Sequence, residues 1–369
     1  MKPPVLLTGA TGFLGMEVLA RLLERDDRDV VCLVRARDDG GARERLDDVL
    51  ATLFDDPEPY RGRARAVAGD VTRAGLGIDP VQRTALAEEV GSVLHCAASI
   101  TFDLPLEEAR AINVEGTREV IGFAREAKAL GRLERFVHVS TAYVAGRHRG
   151  LFRERQLDAG QSFRNTYEQT KWEAEHVLAG AGDLAPAVAR PSIVMGDALT
   201  GWTPAFNVLY WPVRAFARGL FEAVPARPDG RVDVVTVDYV AAALLELLDR
   251  PDAGVFNLVA GRDAMSVEAF VAMAADRVGR RRPRIVPPSE AQPELAEGPG
   301  AVFLPYFEVE TTFDDARAGA LLGPAGVRPT PLPECFDALM DYATAAGWGK
   351  TPMTREAAAR RVTPAAAAA

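Results

Sequence analysis

The chain of 369 residues contains little cysteine. Its three cysteines, Cys32, Cys96 and Cys335, lie far apart, and none has the C-x-x-C spacing of a metal or redox site. We therefore expect buried free thiols in a reducing compartment, with no disulfide and no metal centre.

Long apolar runs and an excess of positive charge are also missing. No stretch approaches the roughly 20 continuous apolar residues that a membrane span needs. Only residues 1–4 precede the first predicted strand, so we expect no signal peptide and a soluble, cytoplasmic protein. The formal net charge of −9 argues against a nucleic-acid-binding protein, whose surface would carry a basic face.

Lysine is scarce, whereas arginine is abundant. The lysines are Lys2, Lys128, Lys171 and Lys350. In such a chain, a lysine inside a motif indicates a site that needs a compact charge rather than a planar guanidinium.

The N-terminal segment carries a glycine motif between a strand pattern and a helix pattern. It reads Val5-Leu-Leu-Thr-Gly-Ala-Thr-Gly-Phe-Leu-Gly15, with glycines at 9, 12 and 15. This spacing is typical of the tight turn that brings backbone N–H groups at a helix N-terminus close to the pyrophosphate of a dinucleotide. The next apolar run, 30–34, comes at the spacing of a βαβ unit.

Strand and helix patterns alternate through the first half of the chain. Strands are predicted near 4–8, 30–34, 64–68, 92–95, 135–139 and 186–190, and helices near 13–25, 39–54, 80–89, 106–130 and 164–180. This alternation predicts an α/β fold with a doubly wound parallel sheet, a Rossmann fold. A further strand-helix-strand pattern follows at 232–236, 238–249 and 254–258.

The pattern becomes irregular after Pro191, which predicts a smaller, interleaved and mostly C-terminal subdomain for the substrate. We expect a nucleotide-binding domain over 1–190, completed by 228–260, and a substrate-binding subdomain over 191–227 and 261–351. The alanine- and arginine-rich segment 352–369 is expected to be a flexible tail.

One segment of this subdomain has a helical apolar stripe. Phe206, Leu209, Val213, Phe216 and Leu220 recur at three- and four-residue spacing, interrupted by Pro212, with Trp202 and Trp211 nearby. The stripe predicts either a helix that covers the core or a wall of an acyl-binding channel, with Arg214 and Arg218 free to meet phosphates or a membrane surface.

The end of the second strand indicates which dinucleotide is used. Proteins that bind NAD usually place an acidic residue there, whereas this chain has Arg35 and Arg37, followed by Arg43 and Arg45. A guanidinium at this point would hold a 2′-phosphate, so we predict NADPH.

Two further strand ends offer cofactor contacts. Asp70 and Val71 follow the third strand, where a carboxylate would accept from the adenine amino group, and the small residues Ala97 and Ala98 follow the fourth.

The fifth strand and the helix after it carry the candidate reacting groups. Ser140 and Thr141 close the strand, and Tyr167 and Lys171 stand one turn apart on one helix face. An ammonium near a phenol would lower the phenol pKa toward neutrality, which makes it a proton donor and acceptor, and the same lysine would hold the nicotinamide ribose. Thr141 would supply a second hydrogen bond to the substrate oxygen, with Ser140 as its competitor.

These motifs resemble a known family. GATGFLG, HVSTAYV, YEQTK and Arg190-Pro-Ser-Ile-Val194 together resemble the extended short-chain dehydrogenases/reductases over about 4–260. A narrower resemblance is to the fatty acyl-CoA reductase and thioester reductase branch, the NAD-binding "male sterility" type. It rests on the segments Leu33–Ala36, His95–Asp103, Asn113–Thr117 and Lys171–Glu175.

The resemblance implies roles for individual residues. The catalytic set is Thr141, Tyr167 and Lys171. The implied cofactor-binding residues are Gly9, Thr11, Gly12, Phe13, Leu14, Gly15, Arg35, Arg45, Asp70, Val71, Ala97, Ala98, Tyr167, Lys171, Pro191, Ser192 and Ile193, and no metal is implied.

The implied activity is NADPH-dependent reduction of an acyl thioester to an aldehyde, with a second reduction to the alcohol left open. We expect the thioester as free acyl-CoA or on a separate acyl carrier protein. The alternatives are an NADP-dependent carbonyl or hydroxysteroid-type dehydrogenase, a nucleotide-sugar epimerase or dehydratase, and a non-catalytic NADPH sensor. Helices near 106–130 and 164–180 pair subunits in many members, so a homodimer is one expectation, whereas membrane contact is not required.

Overall fold

The computed structural model describes residues 2–25, 27–206, 209–290 and 301–362. Its strands are β1 (Val5–Thr8), β2 (Val30–Val34), β3 (Ala64–Ala68), β4 (Ser92–His95), β5 (Arg135–Val139), β6 (Gly150–Phe152), β7 (Ala187–Pro191), β8 (Ile193–Met195), β9 (Ala223–Pro225), β10 (Arg231–Val232), β11 (Val234–Thr236), β12 (Gly254–Leu258), β13 (Met265–Ser266), β14 (Arg284–Val286) and β15 (Thr311–Phe313).

The α-helices are α1 (Phe13–Arg25), α2 (Asp39–Leu53), α3 (Glu58–Arg61), α4 (Pro80–Glu89), α5 (Leu106–Arg110), α6 (Gly116–Ala129), α7 (Thr166–Ala179), α8 (Tyr210–Ala217), α9 (Val237–Asp249), α10 (Val267–Arg277), α11 (Ala316–Leu322), α12 (Leu332–Ala345) and α13 (Arg355–Val362). None of the helices in the described part of the chain has both the length and the apolarity to cross a membrane.

The centre of the fold is a seven-stranded parallel sheet in the order β12-β7-β5-β4-β1-β2-β3. On one side of β1 lie β2 and β3. On its other side lie β4, β5, β7 and β12, in that order. The order therefore reverses between β1 and β4, where Thr8 pairs with His95. Such a reversal opens a crevice at the carboxyl ends of the strands, which is where ligands bind in doubly wound folds.

The strands form where the sequence has short apolar runs, because both faces of the sheet are covered. Leu6 packs with α4 and α6, whereas the next residue, Leu7, packs with α1, α2 and α9 on the opposite face. The predicted α/β fold, with its doubly wound sheet, is confirmed. The strand predicted at 254–258 is β12 and forms one edge of this sheet.

A second apolar core lies beyond the carboxyl ends of the strands. It includes the turn Ala142–Ala145, α8, α10 and α12, together with Phe307 and Phe313. Short strand pairs join these distant segments, for example β6 with β15 and β9 with β14.

The predicted helix at 106–130 is not one regular helix. A π-helical turn, Ala111–Glu115, separates α5 from α6. Its Asn113 is buried and makes three hydrogen bonds, from Nδ2 to Ser99 O at 3.1 Å and to Thr170 Oγ1 at 2.9 Å, and from Ser99 N to Oδ1 at 2.8 Å. The turn ties the loop after β4 to α7, a tertiary contact that the helical periodicity does not contain.

The apolar stripe predicted over 206–220 forms a shorter helix than expected. The helix α8 covers only Tyr210–Ala217, and Leu220 beyond it is 62% exposed. Val213 and Phe216 do face the second core. Residues 207–208 of the stripe lie outside the described residues.

The expectation of a flexible tail from 352 onward is wrong for the described part of that segment. The helix α13 docks on α1 through Arg355, whose guanidinium donates to the fully buried Glu17 at 2.7 Å and to Glu24 at 2.6 Å. Ala358 is buried against the main core. A buried carboxylate needs a cation, and this requirement holds the helix in place. The predicted tail residues 363–369 lie outside the described residues.

Candidate active site

A cavity of about 390 Å³ lies at the carboxyl ends of β1, β4, β5 and β7, beside the reversal of strand order. Most of the predicted site residues line it: Gly9, Gly12, Phe13, Leu14, Gly15, Ala98, Thr141, Tyr167, Lys171, Pro191, Ser192 and Ile193. The other predicted residues, Thr11, Arg35, Arg45, Asp70, Val71 and Ala97, are not among the residues that line this cavity. Thus the structure brings the glycine turn and the candidate reacting groups to one space.

A larger open groove, of about 770 Å³, runs between α6 and α7. Its charged side chains pair with one another, as in Arg110 with Glu173 at 2.7 Å and Arg118 with Glu115 at 3.2 Å. Because these charges are already satisfied and none of the candidate reacting groups reaches it, we place the chemistry in the smaller cavity.

The glycine turn has the close backbone packing that a dinucleotide site requires. Gly9 has a φ of +79°, and a Cβ there would come within 2.7 Å of Ala97 N. A Cβ on Gly15 would lie 2.0 Å from Gly9 O, so α1 packs directly on the turn. Thr8 Oγ1 accepts from Ala97 N at 3.1 Å and joins the ends of β1 and β4. These residues fit a pyrophosphate held against the N-terminus of α1.

Of the arginines predicted to hold a 2′-phosphate, Arg35 directly follows β2, one strand away from the glycine turn, and Arg45 lies on α2. Arg35, Arg37, Arg43 and Arg45 are all exposed. The Arg45 guanidinium donates to the Arg35 backbone carbonyl, which brings the Arg45 side chain to the end of β2. This end of β2 therefore presents positive charge to solvent next to the crevice.

Asp70 organises the turn after β3. Its Oδ1 accepts from Thr72 N at 2.9 Å and from Thr72 Oγ1 at 2.8 Å. Val71 packs against α6, where a Cβ on Gly116 would come within 3.1 Å of a Val71 methyl group.

The structure distinguishes the two hydroxyls that close β5. Ser140 Oγ donates to Glu175 Oε1 at 2.5 Å, and Glu175 is also held by the buried Arg190 at 2.6 and 2.8 Å. The Thr141 hydroxyl instead contacts Tyr167, where its hydrogen bond opposes the rise in the Tyr167 pKa. Thr141 Oγ1 also accepts from Tyr143 N at 3.2 Å, which caps the turn that follows the strand. Thr141 is therefore the hydroxyl beside the candidate phenol.

The expected effect of Lys171 on Tyr167 is not what the structure shows. Burial raises the pKa of Tyr167 to about 12, against the hydrogen bond from Thr141, and Lys171 is not a cause of the shift. Burial also lowers the pKa of Lys171 to about 8, while nearby Glu175 opposes the change. The ammonium donates to Val139 O at 2.7 Å. The cost of removing both groups from water outweighs the attraction that helical spacing alone suggested.

Aromatic side chains form one wall of the cavity, and no role was predicted for them. Tyr306 stacks on Phe102 with ring centroids 5.3 Å apart and meets Tyr143 edge-on at 5.0 Å. Phe102 also lies 5.7 Å from the Tyr167 ring and 5.7 Å from Phe303. The aromatic run at 303–307 is visible in the sequence, but only the tertiary structure brings it beside the reacting groups.

Comparison with known proteins decides the family. A model of the family described as "Male sterility protein", an NAD-binding family, matches residues 7–244. The chain belongs to this family. The predicted resemblance to the fatty acyl-CoA reductase and thioester reductase branch of the extended short-chain dehydrogenases/reductases is thereby confirmed.

Curated fatty acyl-CoA reductases are similar to about two thirds of the chain. Human fatty acyl-CoA reductase 1 is 31% identical over 299 residues, which are 70% of this chain and 58% of that protein. The Drosophila melanogaster fatty acyl-CoA reductase wat is 30% identical over 283 residues, 65% of this chain and 53% of that protein. The chain thus spans little more than half the length of these curated relatives.

Solved structures agree on the architecture. The terminal R domain of the myxalamid PKS-NRPS pathway has a TM-score of 0.83 at 26% identity, over 96% of this chain and 93% of that chain. UDP-glucuronic acid 4-epimerase of Bacillus cereus, solved with NAD, has a TM-score of 0.67 at 18% identity, over 94% and 99%, and shares the fold alone. Family membership and the glycine turn together identify the cofactor class as a nicotinamide dinucleotide.

Proposed function

We propose that this chain reduces an acyl thioester to an aldehyde with NADPH. One observation carries the proposal: the hydroxyls of Thr141 and Tyr167 meet beside Lys171 in a cavity that also contains the glycine turn. An aromatic wall lies beside these groups, which suits an apolar acyl group. Relatives that are named fatty acyl-CoA reductases support this substrate class, as does the similarity to an R domain.

NADPH would supply a hydride to the thioester carbonyl carbon. Thr141 and Tyr167 would hold the carbonyl oxygen with two hydrogen bonds, so that negative charge develops against fixed donors. Tyr167 would pass its proton to that oxygen, giving a hemithioacetal. Cleavage of its carbon–sulfur bond then releases the thiol and leaves the aldehyde. The hydrogen bond from Thr141 counters the high pKa that burial imposes on Tyr167, and Lys171 would hold the nicotinamide ribose beside it.

The choice of NADPH rests on charge. Arg35 and Arg45 would contact the 2′-phosphate, with Arg37 and Arg43 close by in the sequence. Arginine donates two parallel hydrogen bonds to a phosphate, whereas a ribose 2′-hydroxyl is better served by a carboxylate.

The remaining cofactor contacts are proposed from the position of each residue near the carboxyl ends of the strands. We assign binding of the pyrophosphate and adjoining ribose to Gly9, Thr11, Gly12, Phe13, Leu14 and Gly15. Asp70 and Val71 would contact the adenine, and the small residues Ala97 and Ala98 would let the cofactor lie across the ends of the strands. The nicotinamide would contact Tyr167, Lys171, Pro191, Ser192 and Ile193.

The substrate would arrive as acyl-CoA or on an acyl carrier protein, and product analysis distinguishes release of the aldehyde from a second reduction to the alcohol. The test follows NADPH absorbance with a panel of acyl-CoAs and with the same acyl groups on a carrier protein, and mass spectrometry identifies the product. We expect turnover with at least one thioester and none with Tyr167→Phe. Turnover with ketones or preformed aldehydes alone would instead identify a carbonyl dehydrogenase.

A further inference from the structure

Two buried histidines lie side by side behind the candidate catalytic lysine. His95 on β4 pairs in register with His138 on β5, and their ring centroids are 5.0 Å apart. Both are nearly inaccessible to solvent, at 1% and 0% exposure. Neither has a part in the mechanism proposed above.

The hydrogen bonds around His95 determine its tautomer. Thr8 Oγ1 lies 2.7 Å from His95 Nδ1 and accepts from Ala97 N, so its hydroxyl proton is available for Nδ1. On the other side, Thr117 Oγ1 donates to Asn113 O at 2.7 Å and so accepts from His95 Nε2, at 3.4 Å. His95 is therefore neutral with its proton on Nε2, and burial lowers its pKa to about 3.

His138 is arranged differently, because it faces an ammonium. Its Nε2 lies 3.4 Å from Lys171 Nζ. An N–H at Nε2 would point at a cation, so Nε2 accepts and the proton sits on Nδ1. Nδ1 is buried and has no hydrogen-bond partner among the described residues. Burial, with Lys171 and His95 adding to the effect, lowers the pKa of His138 well below its ordinary value, so the ring stays neutral.

Lys171 has three N–H donors, and the structure accounts for two of them. One points to Val139 O at 2.7 Å, and a second to His138 Nε2. Both acceptors belong to β5, on one side of the ammonium. The third donor is left for the cavity, which Lys171 lines together with Tyr167.

We propose that His138 is a positioning residue: its neutral ring accepts from Lys171, and with Val139 O it directs the remaining N–H of the ammonium toward Tyr167 and the nicotinamide ribose. The role of Lys171 toward Tyr167 and the ribose rests on the proposed function. The hydrogen bond between His138 and Lys171 can be tested without turnover. A neutral acceptor also favours the charged form of a buried lysine. The ionisable groups that act on Lys171 are His95 and Cys96 at the end of β4, His138 on β5, and Glu175 one turn further along α7.

The scarcity of lysine makes a direct measurement practical. Labelling lysine with ¹³C at Cε gives a spectrum of the whole protein with only four side-chain signals, from Lys2, Lys128, Lys171 and Lys350. The variant Lys171→Arg identifies the signal to follow. The experiment compares the titration midpoint of Lys171 in the wild-type protein, in His138→Leu and in His138→Gln, whose amide oxygen can replace Nε2 as acceptor.

We expect His138→Leu to move the midpoint of Lys171 to lower pH by about one unit, because the ammonium loses an acceptor while staying buried. In His138→Gln the midpoint of Lys171 should stay close to the wild-type value, because the amide oxygen replaces the lost acceptor. An unchanged midpoint in His138→Leu, or an equal fall in both variants, would overturn the proposal. If leucine disrupts packing, His138→Met provides the apolar comparison.

A second readout uses NADPH fluorescence to follow binding as a function of pH. We expect the loss of affinity at high pH to begin about one unit earlier in His138→Leu than in the wild-type protein or in His138→Gln. A uniform loss of affinity at every pH would indicate a structural role only and contradict the proposal. Neither measurement requires a thioester, so failure of the proposed activity would show itself separately, as absence of turnover.

Discussion

The Ser140 hydroxyl donates to Glu175 at 2.5 Å, although Ser140 lines the same cavity as its neighbour Thr141. A hydroxyl has one proton to donate, and that of Ser140 is already given to Glu175. The pairing of Glu175 with Arg190 makes Ser140 part of a buried charge network. The Thr141 hydroxyl instead forms a hydrogen bond with Tyr167, so we expect Thr141 to be the catalytic hydroxyl.

Removing the two hydroxyls in separate variants tests this difference between Ser140 and Thr141. Thr141→Val should lower kcat/KM for the thioester by about 10²-fold, because the developing oxyanion loses one fixed donor. Ser140→Ala should mainly lower the free energy of unfolding, by about 1–3 kcal/mol, because Glu175 loses a buried donor. Steady-state kinetics and denaturant unfolding measure the two effects. The reverse pattern, with Ser140→Ala inactive but stable, would assign the catalytic hydroxyl to Ser140.

Lys171 should cost stability at neutral pH. Its pKa is about 8 when folded against an ordinary 10.5, and a difference of this size corresponds to about 3 kcal/mol. The unfolded chain binds more protons between these two values, so the contribution of this group to stability rises with pH across that window. We expect Lys171→Met to be inactive yet about 1–3 kcal/mol more stable at pH 7, since Val139 O loses a donor but a buried charge is removed.

The advantage of Lys171→Met over the wild-type protein should shrink as pH rises from about 8 to 10.5. Urea unfolding at several pH values checks this, with the exposed Lys350→Met as the matched control. A variant that is less stable than the wild-type protein at every pH would show that the ammonium contributes more through its hydrogen bonds than burial costs.

Cofactor preference should depend on the arginines after β2. Arg35→Ser should weaken NADPH binding by about tenfold and leave NADH binding nearly unchanged, because only NADPH carries the 2′-phosphate. Fluorescence titration with both dinucleotides measures the ratio. The control is Arg132→Ser, an exposed arginine that precedes β5 and therefore lies toward the amino ends of the parallel strands, away from the crevice. Equal loss of NADPH and NADH affinity would argue against a phosphate contact.

The docking of α13 should depend on Arg355. Arg355→Ala leaves the buried Glu17 with Arg21 as its remaining partner, so we expect a loss of about 2 kcal/mol in the free energy of unfolding. Arg360→Ala, which breaks only an exposed pair with Asp55, should cost much less than Arg355→Ala. Denaturant unfolding compares the two variants. Equal, small effects would mean that α13 contributes little to stability.

The sequence predicted best what depends on neighbours in the chain. Apolar runs such as Val30–Val34 located the strands, since a strand buried on both faces needs no distant information to be recognised. The π-turn around Asn113 and the docking of α13 were missed for the opposite reason. Each depends on a polar partner in another element, Thr170 for the turn and Glu17 for the helix.

By itself, the sequence determined the doubly wound fold, the glycine turn and the order in which Thr141, Tyr167 and Lys171 appear, because these follow from local periodicity and spacing. Only the tertiary structure decided which hydroxyl accompanies Tyr167, that Tyr306 closes one wall, and that His138 meets the lysine. The same structure decided how strongly burial shifts the two pKa values. Desolvation and long-range contacts exist only after packing, so no spacing rule contains them.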